Sequence, residues 1–87
     1  KKMFLVGFKA EHNLSEKELI RRSFEILKKA DANLVVANDV GKNGRGFDVD
    51  TNEVFVVDRS RHVKHITLSD KKIVADRLLD IIIESME

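Results

Sequence analysis

Two short apolar runs that do not alternate limit this chain's fold more than any other feature. They are Met3-Phe4-Leu5-Val6-Gly7-Phe8 and Leu34-Val35-Val36-Ala37. A strand with one wet face alternates apolar and polar residues, whereas one without alternation is covered on both faces. Between the runs the period changes. Leu19, Ile20, Ser23, Phe24, Ile26 and Leu27 fall on one helical stripe, and Arg21, Arg22, Glu25, Lys28 and Lys29 face away from it. Ser15 stands three residues before Glu18, the spacing of a capping box, so a helix is expected over residues 16–30. Its outer face offers Glu18–Arg22 and Glu25–Lys29 pairs, and Lys28 and Lys29 complement the negative helix end. Buried strand, helix, buried strand is a βαβ unit with parallel strands.

Residues 9–14 are polar enough for a loop, and residues 38–51 carry Gly41, Gly44 and Gly46. Loops of that length are usually functional or disordered, and the glycines predict mobility. The apolar run Val54-Phe55-Val56-Val57 reads as a third strand. Asp58-Arg59-Ser60-Arg61 reads as a turn, and residues 62–68 mix polar and apolar side chains like an edge strand, completing an antiparallel hairpin. Ser69 is the expected cap of a second helix, with Asp70 in its first turn. That helix has a stripe of Val74, Leu78, Ile81, Ile82 and Ser85, widened by Ile73, Leu79, Ile83 and Met86. So broad a stripe asks for more cover than four strands and one helix supply. The order β-α-β-β-β-α makes the fold class α/β, a partial sheet ending in a hairpin and helix.

Composition narrows the function. Sixteen Lys and Arg against fifteen Asp and Glu leave a net charge of +1 in 87 residues, which argues against a nucleic-acid binder. The lack of cysteine excludes a disulfide scaffold, a thiolate metal site and a cysteine nucleophile, and fits a cytoplasmic protein. No apolar run approaches the roughly 20 residues of a membrane span, and no charged-then-apolar pattern marks a signal peptide. The abrupt start at Lys1 suggests a piece cut from a longer protein, or a trimmed tag.

Site chemistry is sparse. Asp48-Val49-Asp50-Thr51-Asn52-Glu53 opens like a calcium loop, but Glu53 stands where glycine belongs and Arg59 where the bidentate glutamate belongs. Gly41-Lys42-Asn43-Gly44-Arg45-Gly46 lacks the glycine a phosphate loop needs at position 36, which is Val36, and has no dinucleotide-binding spacing. His62 and His65 on a strand point to opposite faces and share no metal. His12 has no nucleophile at a recognisable spacing. No catalytic or metal-binding residue is assigned. Ligands of open α/β sheets sit beyond the carboxyl ends of the strands, here Gly7-Phe8-Lys9 and Asn38-Asp39.

Those ends carry a resemblance. Leu5-Val6-Gly7-Phe8-Lys9-Ala10-Glu11, Leu34-Val35-Val36-Ala37-Asn38-Asp39-Val40 and Gly46-Phe47-Asp48 with Asp50, Asn52 and Glu53 resemble, in order, three segments of the phosphopantothenoylcysteine synthetase family. The final helix, from Ser69 to Met86, is similar in placement. The resemblance implies that residues 1–87 are the C-terminal part of a larger Rossmann-like ligase domain. The family joins cysteine to 4′-phosphopantothenate in coenzyme A biosynthesis, after CTP (or ATP) with magnesium has activated the carboxylate as an acyl-nucleotide. It acts as a homodimer and is often fused to a decarboxylase, the only part that would use FMN. The family's catalytic Asn and Lys lie in segments not present here, so the piece alone is expected to be inactive. The resemblance puts Phe8 against the nucleotide, the other reading of that residue being a core side chain that closes the end of the sheet, and Asn38 and Asp39 take a structural or site-framing role, each able to bond its own backbone at the strand end. The two phosphate-reaching lysines of bacterial members fall on Ile26 and Ala30, or on Arg22 and Ile26, depending on the direction of counting. Arg22, Lys28 and Lys29 are then the substitutes on hand. The alternative is a stand-alone interaction or nucleotide-sensing module using the glycine loop and the basic helix face.

Overall fold

The structure, a computed structural model, describes residues 3–39 and 51–87. Its elements are β1 (Val6–Glu11), α1 (Glu16–Ala30), β2 (Leu34–Asp39), β3 (Thr51–Asp58), β4 (Val63–Asp70) and α2 (Lys71–Met86). The strands form one sheet in the order β1-β2-β3-β4. β1 runs parallel to β2, with Val6 beside Leu34 and Phe8 beside Val36. β3 is antiparallel to both its neighbours, and the hairpin pairs Val54 with Ile66 and Val57 with Val63. The α/β class, the element order and the terminal hairpin are those the sequence predicts.

Continuous apolar runs in β2 and β3 follow from burial on both faces. Leu34, Val36, Val54 and Val56 join Ile66 and Val74 under α2, flanked by Phe4, Val6, Leu78, Ile81 and Ile82. On the other face Val35 and Val57 pack with Leu27 and Ala32 of the α1 end. Ala37 and Phe55 pack with Leu19 near the start of α1.

β1 departs from expectation. The sequence predicts burial on both faces, but β1 lies at the edge of the described sheet and Met3, Leu5 and Phe8 are exposed. It also starts at Val6 and continues through Lys9-Ala10-Glu11, which the sequence assigns to a loop. Polar side chains are tolerated there because an edge strand lets them reach water, and Lys9 pairs with Glu11 at 2.9 Å. Ahead of β1, Leu5 is tied to Asn33, whose side-chain oxygen accepts from the Leu5 N–H at 2.9 Å.

The helix ends are partly as expected. Ser15 caps α1, its Oγ accepting from the Glu18 N–H at 3.1 Å. The other half of the capping box is not made, because the Glu18 carboxylate turns to Arg21 and Arg22. α2 is capped by Asp70 rather than Ser69: β4 runs two residues beyond the expected end at residue 68, and the Asp70 carboxylate reaches the N–H groups of Lys72 and Ile73. Ser69 donates instead to the Thr67 carbonyl. Of the broad α2 stripe, Val74 is buried while Ile73, Leu79, Ile83 and Met86 stay exposed.

The loop expected over residues 38–51 is shorter at both ends, since Asn38 and Asp39 belong to β2 and Thr51 opens β3. Gly41, Gly44 and Gly46, with the mobility expected of them, lie outside the described residues, as do Asp48 and Asp50. No helix among the described residues is long and apolar enough to cross a membrane.

Arg59, in the hairpin turn, closes the C-terminal end of α1. Its Nε donates to the Ala32 carbonyl at 2.8 Å and its Nη2 to the Asp31 carbonyl at 2.6 Å. It also pairs with the Asp31 carboxylate at 2.9 Å. Carbonyls at a helix end lack intrahelical partners, so these bonds tie α1 to the hairpin. Arg59→Ala is expected to destabilise the chain by about 1 kcal/mol in urea unfolding. A loss near zero would mean water replaces the guanidinium at no cost.

Candidate functional site

β1 and β2 end side by side, with Ala10 beside Asn38 and Glu11 beside Asp39. Alternation divides this end between the two faces of the sheet. Phe8, Ala10 and Asn38 follow Val6 and Val36 onto the α2 face. Lys9, Glu11 and Asp39 follow Val35 and Ala37 onto the α1 face. Phe8 is 70% exposed, so it does not close the core. Asn38, one strand over and two residues further along, is half-buried.

Asp39 is 4% exposed. The carboxylate crosses to the loop between β1 and α1, while the residues that a bond to its own following backbone would reach lie outside the described residues. Oδ1 accepts from the Asn13 N–H at 2.9 Å and Oδ2 from the Leu14 N–H at 2.5 Å.

The basic candidates lie on α1, across the sheet from Phe8 and Asn38. Arg22 is held by carboxylates: Nε donates to Glu18 at 3.0 Å and Nη1 to Glu11 at 3.3 Å. Glu11 also takes Lys9, and that hydrogen bond, with the Arg22 one, holds its carboxyl below the usual range. Arg21 bridges Glu18 and Glu25, so Glu25 pairs with Arg21 and not with Lys29. Lys28 and Lys29 sit in the last turn of α1. At 1.5 Å per residue that is roughly 20 Å along the helix from its cap, toward the opposite end of the sheet. The structure therefore brings Phe8 and Asn38 together and places Asp39 behind them. It does not bring Arg22, Lys28 and Lys29 to the same place.

Hydrogen bonds from Arg21 and then Arg22 hold the Glu18 carboxyl down to about 2. Because the folded value lies below the ordinary 4.5, the stabilisation is fully present above pH 4.5 and is lost as pH falls toward 2. Glu18→Gln is expected to flatten that part of the stability–pH curve, measured as denaturation midpoints between pH 2 and 6. Parallel curves for the two proteins would show that the cluster adds nothing.

Of the histidines, His62 contacts the Asp58 carboxylate, while His65 pairs with Glu53 and stacks on Phe55 at 4.4 Å. They share no site, and the described residues contain no group of three or more His, Cys, Asp or Glu that could hold a metal ion. Sequence reasoning missed the Glu11–Arg22 pair and the reach of Asp39. The signal for the first was a charged alternation, Lys9 and Glu11, at a strand end facing a charged helix.

The family described as the DNA/pantothenate metabolism flavoprotein C-terminal domain matches residues 1–86. The chain belongs to this family. A relative in Methanocaldococcus jannaschii, the coenzyme A biosynthesis bifunctional protein CoaBC, is 41% identical over 76 residues, covering 87% of this chain. The protein of the same name in Thermococcus kodakarensis is 41% identical over 78 residues, covering 90% of this chain. The chain spans 18% of the length of each. The crystal structure of the C-terminal domain of a CoaBC protein superposes with a TM-score of 0.70 at 32% identity, over 99% of this chain and 39% of that one. The resemblance to the synthetase part of such proteins, and the α/β fold it implied, thus hold for this member of the flavoprotein C-terminal family.

Proposed function

We propose that this chain is the C-terminal part of a ligase domain that joins cysteine to 4′-phosphopantothenate in coenzyme A biosynthesis. The observation that carries the reading is an exposed aromatic, Phe8, beside Asn38 at the carboxyl ends of two parallel strands. An aromatic left 70% exposed there offers a flat apolar surface for a base or ribose. In the reaction, a carboxylate oxygen of 4′-phosphopantothenate attacks the α-phosphorus of CTP (or ATP) and pyrophosphate leaves. The cysteine amine then attacks the acyl carbon, the nucleoside monophosphate leaves, and the amine gives up a proton.

Magnesium accompanies the triphosphate in this reading, and no step is assigned to it. The described part of the chain binds and orients the nucleotide. The cations and the catalytic Asn and Lys that acyl activation needs come from the rest of the domain. The full protein acts in the cytoplasm as a homodimer, with FMN only where a decarboxylase is fused. The test is a coupled pyrophosphate-release assay with cysteine, 4′-phosphopantothenate, magnesium and CTP or ATP. The longer protein is expected to turn over and the 87-residue chain is not. Turnover by the short chain would overturn the division of labour. No turnover by the longer protein would overturn the ligase reading and leave the interaction module.

A further inference from the structure

We infer that Asp39 is a positioning residue, whose carboxylate fixes the loop at residues 12–14 and so sets nucleotide affinity without touching the nucleotide. The inference rests on the ligase reading above. Asp39 is nearly inaccessible at 4% exposure, and its two oxygens are aimed at consecutive amides, Asn13 at 2.9 Å and Leu14 at 2.5 Å. Two bonds to neighbouring N–H groups fix both the position and the rotation of the peptide between them, which one bond would not do.

The loop needs such a clamp. Asn13 has φ 58, a left-handed conformation that costs energy for any residue with a side chain, though Asn tolerates it better than most. The next residues lock the following turn: Leu14 packs with Leu19, and Ser15 caps α1. Clamp, apolar contact and cap follow one another in three residues. Together they hold the exit from β1 rigid at the same end of the sheet as Phe8 and Asn38. Asn38 is the chain neighbour of Asp39 and points to the opposite face, so anchoring Asp39 also holds the backbone of Asn38. A site whose walls are already ordered spends less of its interaction with a ligand on ordering them.

The test uses the longer protein and its Asp39→Asn, Asp39→Glu and Asn13→Ala variants. It reads KM for CTP, kcat in pyrophosphate release, and hydrogen exchange of the peptide spanning residues 12–14. In Asp39→Asn one acceptor becomes a donor facing an N–H, so one bond is lost while the side-chain volume is kept. The expected result is a rise of about tenfold in KM for CTP, kcat within about twofold, and faster exchange in the loop but not in peptides containing Val35 or Val57. Asp39→Glu keeps both acceptors and is expected to recover part of the affinity. Asn13→Ala, at an exposed position, keeps both donors and disfavours the left-handed conformation; a smaller rise in KM is expected, about threefold. This variant carries the test if Asp39→Asn does not fold. A purely structural role would lower the amount of active enzyme at constant KM, and that result overturns the inference. So does unchanged loop exchange in a folded variant. Wild-type protein that releases no pyrophosphate overturns the ligase reading and this inference with it. Wild-type turnover with unchanged variant KM overturns the inference alone.

Discussion

Replacing Leu34 by alanine is expected to cost about 3 kcal/mol of folding stability. Leu34 is 2% exposed and sits where β2 meets the floor under α2, among Val36, Val54, Val56, Ile66 and Val74. β2 is paired on both sides at this residue, so the backbone cannot collapse into the space a truncated side chain leaves. A chain of this size holds roughly 5–10 kcal/mol in total, so the loss takes a large part of it. Leu79→Ala makes the same chemical change on α2, where the side chain is 56% exposed, and should cost no more than about 0.5 kcal/mol. Urea midpoints of the two variants decide the matter. Equal losses would mean that α2 does not pack through the face described.

Phe8→Ala in the longer protein is expected to raise KM for the nucleotide about tenfold, equivalent to about 1.4 kcal/mol, while leaving stability within about 0.5 kcal/mol of wild type. The two readouts separate the two roles open to an aromatic at a strand end. A core residue would give a large stability loss and an unchanged KM. A ligand platform gives the reverse. Exposure of 70% already places the ring outside the packed clusters. Phe8→Leu should behave nearly as badly toward the nucleotide, because it keeps apolar area but loses the flat face. Unchanged KM in both variants would remove Phe8 from the site.

How much of this is legible beforehand differs from element to element. The bounds of α1 follow from local rules alone: a serine cap at Ser15, an apolar period of three and four, and basic residues in the last turn. The hairpin is equally local, since the polar turn after Val57 leaves the chain little choice but to return. The apolar run starts β1 three residues too early, because such a run shows what prefers burial, not which strand ends up at the edge. The α2 cap falls one residue later than the sequence predicts because Ser69 and Asp70 both cap well. The choice depended on where pairing with Thr51 and Asn52 stopped.

The site divides along the same line. Sequence by itself determined that this chain is an α/β piece with two strand ends worth inspecting, and that the basic candidates Arg22, Lys28 and Lys29 lie on one helix. It could do so because period, caps and turns act over a few residues. Only the tertiary structure decided which of the named residues meet. Lys28 and Lys29 stand at the far end of α1 from the strand tips, and Arg22 is occupied by Glu11 and Glu18. Asp39 bonds residues twenty-five and twenty-six positions earlier in the chain. Such contacts depend on which strands become neighbours and on which face each side chain falls, and a one-residue shift of register would reverse every one of those faces.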